Sequence, residues 1–207
     1  MRQLLRDRPW TLGVLLLAIA AAAFGVWNLT TTEAYEWNGA AYDPARELPS
    51  FTLTNAEGQT VSTAELEGKV TLIYFGYTHC PDFCPATLTD FQRIKQDLGG
   101  DADQVAFMMI TVDPERDTPE RLREYLGFFD PEFIGLTGTS EELTPVKQEF
   151  GIMTASQAAT PEQGDYYTVD HSTKTYLLNA DGDLLLEYPW GTTAEDITED
   201  IEHLLDS

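Results

Sequence analysis

Two unbroken apolar, β-rich runs, Val70–Gly76 and Val105–Val112, constrain this chain more than any other feature of it. A strand that is apolar at every position has both faces buried, as in a parallel sheet covered by helices. Between the runs, Leu88, Phe91, Ile94 and Leu98 recur on one helical stripe, which predicts a helix over 86–98 closed by Gly99-Gly100. The alternation continues downstream. Asp117-Thr-Pro-Glu opens a helix through Phe129, Phe133–Leu136 reads as a short strand, and Ser140-Glu-Glu-Leu starts a helix through Phe150. Tyr166–Val169 and Lys174–Leu178 read as extended, and Leu184–Tyr188 returns from the turn Asn179-Ala-Asp-Gly182. A final helix covers 194–205. Upstream, Phe51–Thr54 and Gln59–Ser62 flank the turn Asn55-Ala-Glu-Gly58 as another hairpin.

Strands alternating with helices need crossovers, so the fold class is α/β with a mainly parallel central sheet. The late antiparallel hairpin adds to one edge. That is the plan of a thioredoxin-like fold with an N-terminal β-hairpin extension. The length, 207 residues with 43% hydrophobic, suits one core-forming domain and an appendage. Lys+Arg of 12 against Asp+Glu of 35 gives a formal charge of −23. Such a surface repels phosphate backbones, which excludes nucleic acid as a partner. The acids are scattered, and read as a solvated surface suited to salty surroundings rather than as one docking face.

The appendage is the stretch Pro9–Thr32, which carries no charged residue and is flanked within by Trp10 and Trp27. About 20 residues at 1.5 Å each span a bilayer's hydrocarbon core. Arg2, Arg6 and Arg8 precede it, and Glu33 and Glu36 follow. The positive-inside rule then predicts one transmembrane helix in the inner (cytoplasmic) membrane, with the rest of the chain on the periplasmic side. Ala20–Ala23 offers the cleavage positions of a signal peptide, but apolar residues run on to Trp27 and favour an uncleaved anchor. The expected organisation is an anchor at 1–32, a polar linker at 33–47 and the domain at 48–207. That domain faces an oxidising compartment, where paired thiols join as disulfides.

The chemistry sits after the first buried strand, in Tyr77-Thr-His-Cys80-Pro-Asp-Phe-Cys84-Pro85, which holds both cysteines of the chain. A helix N-terminus favours negative charge and lowers a thiol's pKa. In a Cys-x3-Cys spacing that approaches a helical turn, the two sulfurs point the same way. They can converge on one ion or join as a redox disulfide. Two sulfurs suit a soft ion, copper(I) above all, and one nitrogen would complete a three-ligand site. Zinc held structurally would need a fourth protein ligand. Of three histidines, His203 lies in the terminal helix without an assigned role, and His79, adjoining Cys80, reads as structural. His171, between two extended segments, reads as a satisfied loop residue on spacing alone.

The segment Phe75-Gly-Tyr-Thr-His-Cys-Pro-Asp-Phe-Cys-Pro85 resembles the signature of the Sco/SenC copper chaperones of cytochrome c oxidase assembly. Val112-Asp-Pro-Glu-Arg-Asp-Thr-Pro119 and Val169-Asp-His-Ser172 resemble two further family segments, in the same order, and the likeness covers about residues 48–205. The resemblance implies a thioredoxin fold, one membrane anchor, and a copper site made by Cys80, Cys84 and His171. It implies copper(I) as the cargo, leaves copper(II) open, and points to oxidase subunit II as the recipient or as the bearer of cysteines to be reduced. A copper donor protein and a thiol reductant follow as further partners.

Other candidates are weaker. Asp113 follows a strand's carboxyl end; Asp before Pro caps turns, while the resemblance puts it near the metal. Asp170 is a candidate to accept the other imidazole N–H of His171. Asp82 reads as the helix cap, and Met108 and Met109 as core. Against a thiol–disulfide oxidoreductase stand the three-residue spacing and, by resemblance to thioredoxin-like enzymes that carry a cis-Pro opposite their cysteines, the lack of a Pro over 165–172. A peroxidase is weaker still, because Thr78 departs from that spacing. A mere disulfide staple closing so short a loop adds little stability.

Overall fold

The computed structural model of the chain describes residues 13–22, 35–66, 68–157, 168–170 and 172–207. The chain divides into two units, residues 1–36 and 37–207. In the first, residues 13–22 form helix α1. Among the described residues no helix is long and apolar enough to cross a membrane. The remainder of the expected anchor lies outside the described residues.

The second unit carries strands β1 (Ala40–Arg46), β2 (Thr52–Asn55), β3 (Thr60–Ser62), β4 (Val70–Gly76), β5 (Val105–Thr111), β6 (Ile134–Thr137), β7 (Ala155–Gln157), β8 (Thr168–Asp170), β9 (Thr175–Leu178) and β10 (Leu184–Tyr188). Its helices are α2 (Phe83–Leu98), α3 (Pro119–Gly127), α4 (Ser140–Glu149) and α5 (Ala194–Asp206). One sheet runs in the order β1-β10-β9-β4-β5-β6-β2-β3, and β7 pairs with β8 separately. β4, β5 and β6 are parallel neighbours, in register from Val70↔Val105 to Gly76↔Thr111 between β4 and β5. Hairpins β2–β3 and β9–β10 flank them antiparallel on opposite sides. This is the mixed α/β, thioredoxin-like arrangement with its N-terminal hairpin.

Every residue of β4 and β5 is buried, which is why their sequences are apolar without alternation. Successive β4 side chains serve opposite faces. Tyr74 turns toward α2, while Phe75 packs its ring 5.1 Å from Phe150 and 5.9 Å from Tyr176.

Two expectations are corrected. The span 33–47 is not wholly a linker, because β1 pairs with β10 through Ala40↔Glu187 and Ala41↔Leu186. An edge strand needs only one bonded side and tolerates Pro44, so its sequence reads like a loop. The buried carboxylate of Asp200 accepts the Asn38 and Gly39 amides at 3.0 and 3.1 Å and the Tyr188 hydroxyl at 3.0 Å, fixing the chain just before β1. Helix α2 also begins at Phe83 rather than at 86, drawing Cys84 and Pro85 into its first turn. First-turn amides lack intrahelical acceptors, so a proline there costs little.

Candidate metal centre

The site is built at the carboxyl end of β4. The Val112 amide donates to the Gly76 carbonyl at 2.9 Å, and the Cys80 amide to the Tyr77 carbonyl at 3.2 Å, which turns the loop back toward α2. Both cysteines are in the thiol form, with Cys84 fully buried and Cys80 9% exposed. The Cys84 amide, in the first turn of α2, points at Cys80 Sγ at 3.5 Å. The Cys80 sulfur therefore takes the place of a helix-capping acceptor, where partial positive charge favours a thiolate.

Asp82 occupies the N-cap position, but its side chain makes no capping bond. Its backbone, at φ −128° and ψ −61°, departs from the extended conformation that swings a capping side chain over the first amides.

Beneath the pair, Tyr74 Oη lies 3.5 Å from Cys84 Sγ. Gly76, two residues on along the same strand face, leaves room for this contact. A Cβ at Gly76 would sit 2.6 Å from the Tyr74 ring and 2.9 Å from Cys84 Sγ. Burial, reinforced by the neighbouring Cys80, pushes the Cys84 thiol well up from its usual value, and burial does the same to the Tyr74 phenol. Burial thus keeps the proton on Cys84 at neutral pH.

Asp117 was legible only as part of a helix opening, yet its fully buried carboxylate organises the loop. It accepts the Thr78 amide at 3.1 Å, the Thr78 hydroxyl at 2.7 Å and the Thr111 hydroxyl at 2.6 Å. Thr118, not Asp117, caps α3, accepting from the Arg121 amide. His79 joins this network, its Nδ1 lying 3.1 Å from Thr78 Oγ1 and 4.0 Å from Asp117. Arg121 Nε also donates to Thr78 Oγ1, at 3.2 Å.

Asp113 is buried and ion-paired with Arg116 at 2.5 Å, and the Arg116 guanidinium lies 5.6 Å from the Tyr77 ring centroid. Tyr77 in turn accepts the Val169 amide at 3.3 Å. That bond ties the cysteine loop to β8, whose last residue is Asp170. His171 and the side chain of Asp170 lie outside the described residues. Among the described residues, no three or more His, Cys, Asp or Glu side chains group as a metal site. Met108 and Met109 are core, and His203 meets Trp37 edge-on at 5.3 Å. What the arrangement offers is two converging sulfurs on a helix start, able to hold a soft cation or to close as a disulfide.

The SCO1/SenC family model matches residues 39–206. A SCO2-like protein of Rickettsia felis is 37% identical over 149 residues, 72% of this chain and 72% of its own. The structure of Bradyrhizobium japonicum ScoI with copper bound is 38% identical at a TM-score of 0.68, covering 75% of this chain and 98% of that one. Yeast Sco1 with copper bound is 29% identical at a TM-score of 0.71, covering 78% and 90%. Matched along nearly the whole of its second unit, with both cysteines at the helix start, the chain belongs to the SCO1/SenC family.

Proposed function

We propose that this chain is a copper chaperone of cytochrome c oxidase assembly, anchored in the membrane by Pro9–Thr32. In this reading Cys80, Cys84 and His171 hold the ion and pass it to the binuclear copper site of subunit II. The observation that carries it is the pair of thiols where the loop enters α2, with the Cys84 amide aimed at Cys80 Sγ. Two features support it further: the Tyr77–Val169 bond, which holds the strand leading to His171 against the loop, and the copper-bound ScoI and Sco1 structures.

The chain's residues do three things. Cys84 gives up the proton that burial holds on it, so loading releases protons and tightens as pH rises. Cys80, nearer the surface, is the sulfur that a donor or recipient thiol reaches first, and the ion moves by exchange of one ligand at a time. In an oxidising compartment the two thiols lose two electrons and two protons to form a disulfide, so a thiol reductant must restore them before loading.

Anaerobic copper(I) titration of the reduced full-length chain tests the proposal. One ion per chain is expected, and His171→Ala should weaken binding by at least about tenfold, or 1.4 kcal/mol. Equal affinity in that variant removes His171 from the site. The second reading, reduction of the cysteines of subunit II, is favoured by the helix-start position of Cys80. Reduction of that subunit's disulfide at enzyme-like rates, undiminished in His171→Ala, would select it.

A further inference from the structure

Among the described residues of the second unit, four large hydrophobic side chains stand exposed: Phe83, Phe128, Met153 and Trp190. Two of the four meet beside the sulfurs. The rings of Phe83 and Trp190 lie edge to face with centroids 5.0 Å apart, yet they keep 45% and 46% of their surface open to solvent. Phe83 is the first residue of α2 and stands between the two cysteines in the chain. Trp190 comes from the loop between β10 and α5, where a turn holds it outward. The Thr192 amide donates to the Pro189 carbonyl at 3.2 Å, and Gly191, at φ +95°, supplies the positive φ that the third position of such a turn needs. The Thr192 hydroxyl donates to the same carbonyl at 3.0 Å. Trp190 also lines a cleft of about 270 Å³, together with Thr87 of α2 and Thr192.

A protein that exchanges copper with Cys80 must bring a ligand atom to that sulfur, which is only 9% exposed. Its surface then covers whatever stands out around Cys80. Those residues are Pro81, Asp82 and Phe83, with Trp190 against Phe83. Aromatic side chains held rigidly bury a large area at little entropic cost, so interfaces concentrate their binding energy in them. We propose that Phe83 and Trp190 form the docking patch for the protein that exchanges copper with Cys80, a partner whose ligand-bearing edge is apolar and basic. The sign follows from charge. Asp82 is exposed next to Phe83, Asp90 in the cleft is balanced by Arg93 at 3.4 Å, and the chain as a whole carries −23. The same charge disfavours an anionic lipid surface as the occupant. The inference rests on the delivery reading above and adds to it the surface by which delivery selects its partner.

Transfer of copper(I) from the loaded full-length chain tests this with two acceptors: the reduced, soluble copper domain of oxidase subunit II, and a small chromophoric chelator. Trp190→Ala and Phe83→Ala should each slow transfer to the domain by about tenfold. Transfer to the chelator, which needs no docking surface, should be unchanged. Trp190→Arg keeps an apolar stem but repels a basic edge, and should slow transfer to the domain at least as much. Transfer from the parent chain to the domain should slow several-fold between about 0.05 and about 0.5 M salt, as the attraction is screened. Equal rates to the domain in parent and variants overturn the inference and leave delivery intact. Slower transfer to both acceptors overturns it as well, because the rings then act on the sulfurs themselves. A parent rate indifferent to salt overturns the basic character of the partner. A dependence on Trp190 seen in lipid vesicles but not in detergent assigns the pair to the bilayer instead. A parent chain that holds copper yet gives the domain none overturns the delivery reading and this inference together.

Discussion

The amide of Val169 donates to the phenolic oxygen of Tyr77 at 3.3 Å, joining residues 92 positions apart. Tyr77 stands three residues before Cys80, and Val169 two before His171. One bond therefore spans the two segments that supply the proposed ligands. Tyr77→Phe leaves the Val169 amide without this acceptor and should cost about 1 kcal/mol of stability. Copper(I) affinity should fall several-fold in the same variant. Combined with His171→Ala, the affinity loss should be less than additive, since both changes act on the same ligand. Full additivity in that double-mutant cycle would separate Tyr77 from His171.

Asp117 gathers three donors in a site closed to water. Asp117→Ala takes the acceptor from the Thr78 amide and from the Thr78 and Thr111 hydroxyls, three bonds made in a buried site. A loss of about 3 kcal/mol follows, or about 6–12 °C in melting temperature. Burial raises the Asp117 carboxyl above its ordinary 3.8, against the opposing pull of its donors. The folded chain therefore keeps this proton at a pH where the unfolded chain has lost it. The Asp117 contribution is fullest below 3.8 and declines as pH rises through the raised value. Asp117→Asn carries no such charge, so the stability of the parent chain relative to this variant should improve as pH falls from neutral toward 4. Parallel pH curves for the two proteins would contradict that sign.

How far the sequence announces this structure depends on the range of the interactions. β4 and β5 are legible because burial on both faces writes an unbroken apolar run, and the β2–β3 and β9–β10 hairpins because their turn residues are local. β1 is hidden, since an edge strand held by β10 needs no apolar pattern of its own. At the site, the cysteine spacing is visible, but the clamp under it is not. Thr78 and Asp117 lie 39 residues apart, and no periodicity links them. Within the string from Val112 to Pro119, Asp113 pairs with Arg116 three residues on, while Asp117 grips the cysteine loop through Thr78, and nothing local in the sequence separates the two roles. Asp82 shows the opposite failure. Its type and position are those of a cap, yet the backbone turns its carboxylate aside and the Cys80 sulfur receives the helix amide.

The formal charge of −23 bears on stability through self-repulsion in the folded state. Screening length falls from about 10 Å at 0.1 M salt to about 3 Å at 1 M. The melting temperature of the full-length chain should therefore rise between 0.05 and about 0.5 M sodium chloride and then flatten. Sucrose at the same concentrations does not screen charge and should not reproduce the steep early rise. A flat response to salt over that interval would show that the scattered acids are already compensated by local partners.

Gly76 carries the sharpest steric prediction. Its missing side chain is the space in which the Tyr74 ring and the Cys84 sulfur meet. A methyl group there, 2.6 Å from the ring and 2.9 Å from the sulfur, must displace one or both. The strand offers no relief, because Gly76 is the last residue in register with β5 and its carbonyl accepts the Val112 amide. The Tyr74 ring is fully buried in a close-packed core, so the sulfur at the loop end is the softer neighbour and moves first. Gly76→Ala should thus cost about 1–3 kcal/mol as overpacking and weaken copper(I) binding by about tenfold or more, through a widened sulfur pair. Adding Tyr74→Leu, which removes the ring carbon nearest the new methyl, should recover stability. It should recover less of the affinity, because the phenol that met Cys84 Sγ is gone too. A Gly76→Ala protein with unchanged stability and unchanged copper affinity would mean that the sulfur does not lie against the strand.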